Sequence, residues 1–184
     1  MPPFDVDADL SDDHGYHLAE NGPVSLFWRH SLFDETVRWL ATHGYQVVRM
    51  DAASWPTEAE FHRAIASALG FPGYYGSNLN AFNDCLGDVA GYRYGSLRDA
   101  AGTVLAFSGY DAFAARQPTC AQSILDVVAV QSRFAMLFGH RMLCLVQSND
   151  PDIEFDVVGA SPVSWNQVEW MRTARGVGGS TIAT

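Results

Sequence analysis

Lysine is absent. All 11 basic residues are arginine, against 21 acidic residues, for a formal net charge of −10. A face that grips a phosphate backbone needs clustered cations, so this balance argues against direct nucleic-acid binding and for a basic protein partner. Cysteine is scarce as well. Cys85, Cys120 and Cys144 lie far apart with no CxxC spacing, which argues against a disulfide framework or a zinc site and leaves reduced, buried thiols as the expectation. No apolar run approaches the roughly 20 residues that span a bilayer, and the N-terminus MPPFDVDADLSDDHG lacks the basic and apolar parts of a signal peptide. A soluble, cytoplasmic protein without a membrane partner is expected. Chemistry-bearing motifs are missing too: there is no GxGxxG, no Walker loop, no GxSxG elbow and no HExxH among the six scattered histidines. No catalytic residue, metal or cofactor is therefore assigned.

The length of 184 residues, 48% of them hydrophobic, suits one α/β domain with terminal additions. Residues 1–22 carry six carboxylates with no basic residue and read as an acidic flexible arm. The domain is expected over residues 23–175, followed by a flexible tail at 176–184. Within it, Val24 to Trp28 reads as a strand, and Phe33, Val37 and Leu40 mark one side of a helix for which Ser31, with Asp34 three residues on, resembles a capping signal and Gly44 a stop. Tyr45 to Met50 reads as a second strand, completing a parallel crossover unit. Thr57 to Glu60 matches a capping box ahead of Phe61, Ile65, Ala68 and Leu69, and a further helix is expected at Asn78 to Val89. Thr103 to Phe107 and Met142 to Val146 read as buried strands around a long helix, Thr119 to Phe138. An edge strand near Val163 and a short helix from Asn166 would complete the chain.

The most specific stretch is FPGYYGSNLNAFNDCLGDV, residues 71–89. Leu79, Phe82, Leu86 and Val89 form a buried stripe, while Asn80, Asp84 and Asp88 fall four apart on the other face, with Asn83 and Gly87 beside them. Tyr74, Tyr75 and Gly76, then Asn78 and Leu79, then Asp84, Cys85 and Leu86 resemble the barstar family of ribonuclease inhibitors, in which these types stand at this unbroken spacing. The resemblance extends loosely from Tyr45 to Ser148. It implies a three-strand, mainly parallel sheet packed with helices, here enlarged by an N-terminal and a C-terminal strand-helix addition.

For function, the resemblance implies an immunity-type inhibitor that occludes the basic active site of a ribonuclease or related toxin. Asp84 matches the central aspartate that replaces substrate phosphate, Tyr74 the contacting tyrosine, and Gly76 and Asn78 the loop and helix-start contacts. Asn80, Asn83, Gly87 and Asp88 complete the partner-binding set. The chemistry is independent of the name, because a ribonuclease site concentrates cations that a fixed carboxylate pairs with once water is excluded. Departures stand beside these matches: the family's second helical acid is Asn80 here, its partner-facing tryptophan is Asn83, and its glutamate on the third helix aligns near Pro118. Barnase itself is thus not the expected partner. A barstar-like interaction module for a non-nuclease protein is the alternative. Plainer readings also stand, with Tyr74 and Tyr75 as caps of a loop-helix junction, Asp84 and Asp88 as solvated helix residues, and His62 with Cys85 as neighbours without catalytic meaning.

Overall fold

In the computed structural model, which describes residues 13–176, the central strands at 24–27, 103–108 and 142–147 are mainly apolar runs buried on both sides, as a parallel sheet covered by helices requires, whereas the strands at 46–51 and 164–165 are only partly buried. The elements run β1 (Val24–Phe27), α2 (His30–Thr42), β2 (Gln46–Asp51), α3 (Glu58–Leu69), α4 (Leu79–Ala90), β3 (Thr103–Ser108), α5 (Tyr110–Arg116), α6 (Pro118–Met136), β4 (Met142–Gln147) and β5 (Ser164–Trp165), preceded by α1 (His14–Glu20). The five-stranded sheet has the order β2-β3-β4-β1-β5, and every pairing is parallel. The three strands of the expected central sheet, β2, β3 and β4, lie together, and the terminal additions extend it on the β4 side.

Alternation along the strands sends side chains to two cores. Val104, Ala106, Leu143 and Leu145 meet Phe33, Val37 and Leu40 of α2 on one face. Leu105, Phe107, Cys144 and Val146 meet Ile65 and Leu69 of α3, Phe82, Leu86 and Val89 of α4, and Leu125 and Val128 of α6 on the other. α3 and α4 thus form the β2 to β3 crossover, and α5 and α6 the β3 to β4 crossover. The capping box forms as the sequence implies, with Thr57 accepting from Ala59 N and Glu60 reaching back to Thr57 N. All three cysteines are buried free thiols.

Four expectations change. Residues 14–20, assigned to the flexible arm, form α1, capped by Asp13 and held by the buried Leu18 against the α2 core; the arm's first 12 residues and the tail beyond Gly176 lie outside the described residues. α2 starts at His30 with Arg29 as N-cap, so Ser31 lies inside its first turn and does not cap it. α5 is additional, separated from α6 by Gln117.

Finally, the C-terminal helix from Asn166 does not form. After β5 the chain makes a turn, in which Asn166 Oδ1 accepts from Val168 N and Glu169 N, and then a short 3-10 helix at Arg172–Arg175. What diverts it is Glu169, whose fully buried carboxylate accepts from Trp28 N (2.9 Å), Arg29 N (3.0 Å), Arg29 Nε (2.9 Å) and Asn166 Nδ2 (2.7 Å). The carboxylate satisfies the backbone donors where β1 ends and α2 begins, a place that also favours negative charge. Arg175 locks the return, donating to the carbonyls of Pro151, Glu169 and Trp170 and lying 4.4 Å from the Trp165 ring centroid.

Candidate functional site: the Tyr74 loop and the exposed side of α4

The loop before α4 is fixed from its inner side. Gly70 ends α3 in the left-handed conformation (φ 62°), and the chain turns through Pro72 to Tyr75, whose N–H donates to Pro72 O at 2.9 Å. Tyr75 then points inward, packing on Phe71 and hydrogen-bonded through its hydroxyl to His62 Nδ1, while His62 Nε2 lies 3.0 Å from Glu58 Oε1. A carboxylate only accepts, so Nε2 carries the ring proton and Nδ1 accepts from the phenol in the neutral ring. Burial, with smaller contributions from Cys85 and Glu58, raises the Tyr75 pKa well above the ordinary phenol value, keeping it a donor. His62 is thereby engaged by Tyr75 and Glu58, and Cys85 is a buried residue of the α4 core face.

With Tyr75 turned in, Tyr74 is turned out, and its ring is 80% exposed. Gly76 lets the backbone close on the helix start: a Cβ there would stand 3.0 Å from Asn78 Nδ2 and 3.5 Å from Ala81 Cβ. The left-handed residue of the loop is its neighbour Ser77 (φ 49°). Asn78 caps α4, its Oδ1 accepting from Ala81 N at 2.9 Å and its Nδ2 donating to Gly76 O at 3.2 Å. Its side chain is thus committed to building the loop.

Along α4, Asn80 and Asp84 are exposed. Among the described residues Asp84 has neither a hydrogen-bond nor an ion-pair partner, so its carboxylate is available. Asp88, one turn on, is paired: its Oδ1 lies 2.8 Å from Arg93 Nη1. Asn83 is turned toward α6, where its Oδ1 accepts from Gln131 Nε2 at 2.9 Å. Gly87 permits that approach, since a Cβ on it would stand 3.2 Å from Gln131 Oε1.

Asn83, Asp84, Gly87 and Asp88 line one wall of an open groove of about 490 Å³ between α4 and α6. Tyr74, Gly76, Asn78 and Asn80 lie in the loop and first turn, outside it. The opposite wall, Val130, Phe134 and Phe138, had been indistinguishable from core in the sequence, being apolar at a spacing of four; only its exposure reveals it. A larger cavity of about 720 Å³ opens beside Asp111, Asp150, Asp152, Glu154 and Asp156. Part of that acidity is already used, Asp111 accepting from Asn149 and Asp152 pairing with Arg172. Among the described residues no three His, Cys, Asp or Glu side chains gather as metal ligands, and no helix is long and apolar enough to cross a membrane.

This geometry coincides with a family match. The family described as Barstar (barnase inhibitor) matches residues 45–147, more than half of the chain and all of the loop, α4 and α6. The chain belongs to the barstar family. No curated protein compared with it matches. The matched region takes in β2, β3 and β4 and every helix on their α4 side, whereas β1, α2 and β5 lie outside it.

Proposed function

We propose that this barstar-family protein binds a basic ribonuclease-like protein or toxin and inhibits it in the cytoplasm by placing Asp84 where the enzyme holds substrate phosphate. The observation that carries the reading is the unpaired, exposed Asp84 carboxylate on α4, directly after a loop held rigid by Tyr75, His62 and Asn78. A preformed carboxylate loses little entropy on docking, and its pairing with desolvated arginines or lysines strengthens as water leaves. The net charge of −10 favours encounter with such a partner and disfavours RNA itself. Tyr74 supplies an exposed aromatic beside the acid, the residue type that anchors interfaces. The protein turns over no RNA of its own.

The test is RNA cleavage by a panel of small basic ribonucleases, barnase among them, with the protein titrated in, alongside capture and identification of its partner from the native cell. Stoichiometric loss of turnover for a panel member or for a captured nuclease supports inhibition. An unaffected panel together with a captured partner that cleaves no RNA would falsify it. That second outcome belongs to the other reading, a barstar-like module for a non-nuclease protein, which is favoured by the neutral Asn80 and by the engagement of Asn83 with Gln131.

A further inference from the structure

The groove between α4 and α6 has two unlike rails. On α4, Asp84 and Asp88 stand one turn apart; on α6 and the turn after it, Val130, Phe134 and Phe138 stand four apart. The Phe134 and Phe138 rings meet edge to face at 5.0 Å between centroids, so the apolar rail is one continuous surface. It is left uncovered, with Phe134 41% and Phe138 50% exposed. Gly87 and Gly91 lie between the rails, where larger side chains would fill the space.

Neither rail explains the other within the chain. Half-exposed aromatics at adjacent turns cost solubility, and contiguous apolar surface rimmed by polar groups marks an interaction site. The acid rail selects the occupant. Arg93 neutralises Asp88, but Asp84 has no counter-charge among the described residues, so the groove offers one free anion beside a hydrophobic shelf. A second copy of this chain, at a net charge of −10, would bring repulsion to that anion.

We infer that the α4–α6 groove is a docking site for a helical segment of a basic protein, which sets an arginine or lysine on Asp84 and apolar side chains along Val130, Phe134 and Phe138. The inference rests on the reading of Asp84 as a partner contact and extends that contact from a point charge to a shaped surface. Partner choice is then set jointly by charge and by apolar fit, with the apolar rail taking over from the acid that is absent at Asn80. Tyr74 and the groove approach the same partner from the two ends of α4.

The probe is a synthetic helical peptide with arginine and, one turn on, leucine and phenylalanine on the same face, titrated into isotope-labelled full-length protein and followed by amide chemical shifts. The result expected is shifts at Asp84, Gly87, Gly91, Gln131 and Phe134, with affinity reduced at least fivefold by Phe134→Ser with Phe138→Ser and by Asp84→Asn. Leu137→Ser, 79% exposed at the same helix end but outside the groove, leaves binding unchanged and controls for general hydrophobicity. Shifts elsewhere, no shifts, or indifference to the paired serine substitutions overturns the inference. So does concentration-dependent dimerisation that the same substitutions abolish, because the occupant is then a second copy. Ribonuclease inhibition assayed with these variants separates the two readings: inhibition lost in Asp84→Asn but kept in the serine variants leaves the inhibitor reading standing without the groove. Peptide docking in the groove with no nuclease inhibited leaves the groove without that reading.

Discussion

Asn83 on α4 accepts a hydrogen bond from Gln131 on α6 at 2.9 Å, across the space that Gly87 leaves open. The position where the family carries a partner-facing tryptophan is therefore used here to join two helices. Asn83→Ala removes one partly buried hydrogen bond and should cost about 1 kcal/mol of stability by urea titration, with little direct effect on partner binding. Gly87→Ala should change stability by less than about 1 kcal/mol, because the helix propensity that alanine gains inside α4 offsets the displacement of the Gln131 amide by its Cβ. A binding loss for Asn83→Ala equal to that for Asp84→Ala contradicts this assignment.

Glu169 gives a second expected outcome. Burial raises the carboxyl pKa, but donors from Trp28, Arg29 and Asn166 outweigh it and hold the group below the ordinary glutamate value of 4.5. A carboxyl lowered in the fold contributes stability that is complete above its unfolded pKa and is lost as pH falls through the folded value. Glu169→Ala should destabilise the protein by about 3 kcal/mol at neutral pH, since buried donors and Arg29 lose their acceptor. The penalty should shrink below about pH 4.5, which urea midpoints measured from pH 7 downward will read.

His140 acts in a separate window. It is fully buried, with Nδ1 3.0 Å from Ala90 O and Nε2 2.9 Å from Thr103 Oγ1, and stacked on Tyr92. The carbonyl fixes the proton on Nδ1, leaving Nε2 to accept from the threonine. Burial lowers its pKa below the ordinary 6.5, although the bond to Ala90 pulls the other way. Below pH 6.5 the unfolded chain binds a proton that the folded chain refuses, so stability falls with pH, at most by about 1.4 kcal/mol per unit. His140→Gln should flatten the stability slope between pH 6.5 and 5.5; an unchanged slope assigns the acid sensitivity to other groups.

β3 and β4 were legible because double-sided burial writes them as runs, TVLAF and MLCLV, that no surface element would carry. Helices were legible where a cap and a stripe coincide, as at Thr57 and Asn78. α1 was hidden because Leu18 is the one large apolar residue that docks it, amid acidic and polar neighbours. α5 is short and begins after a left-handed Gly109 without a side-chain cap, leaving no local signal. At the site, the spacing of Asp84 and Asp88 follows from helix geometry, but which one is free depends on Arg93, which is brought to Asp88 by the turn that follows α4. The direction of Asn83 likewise depends on Gln131, 48 residues away. Such pairings are set by packing between elements and have no local pattern to read.

Asp84 and Asp88 are the sharpest comparison, since both are carboxylates on one helix, a turn apart, and differ in what already holds them. Asp84 meets a partner without first giving up an ion pair, whereas Asp88 must either keep Arg93 or lose it to bind. Where a carboxylate pairs with cations that docking strips of water, truncation exposes the partner's charges to an unsatisfied site and costs at least ~2 kcal/mol. At a half-solvated rim position already paired within the chain, the loss should stay below ~1 kcal/mol. Asp84→Ala should leave the fold intact, because an exposed mid-helix position accepts alanine readily. Calorimetric titration of both variants against the captured partner, with circular dichroism as the folding control, measures the difference. Equal and small losses would place the binding face away from α4 and return Asp84 to the solvated surface.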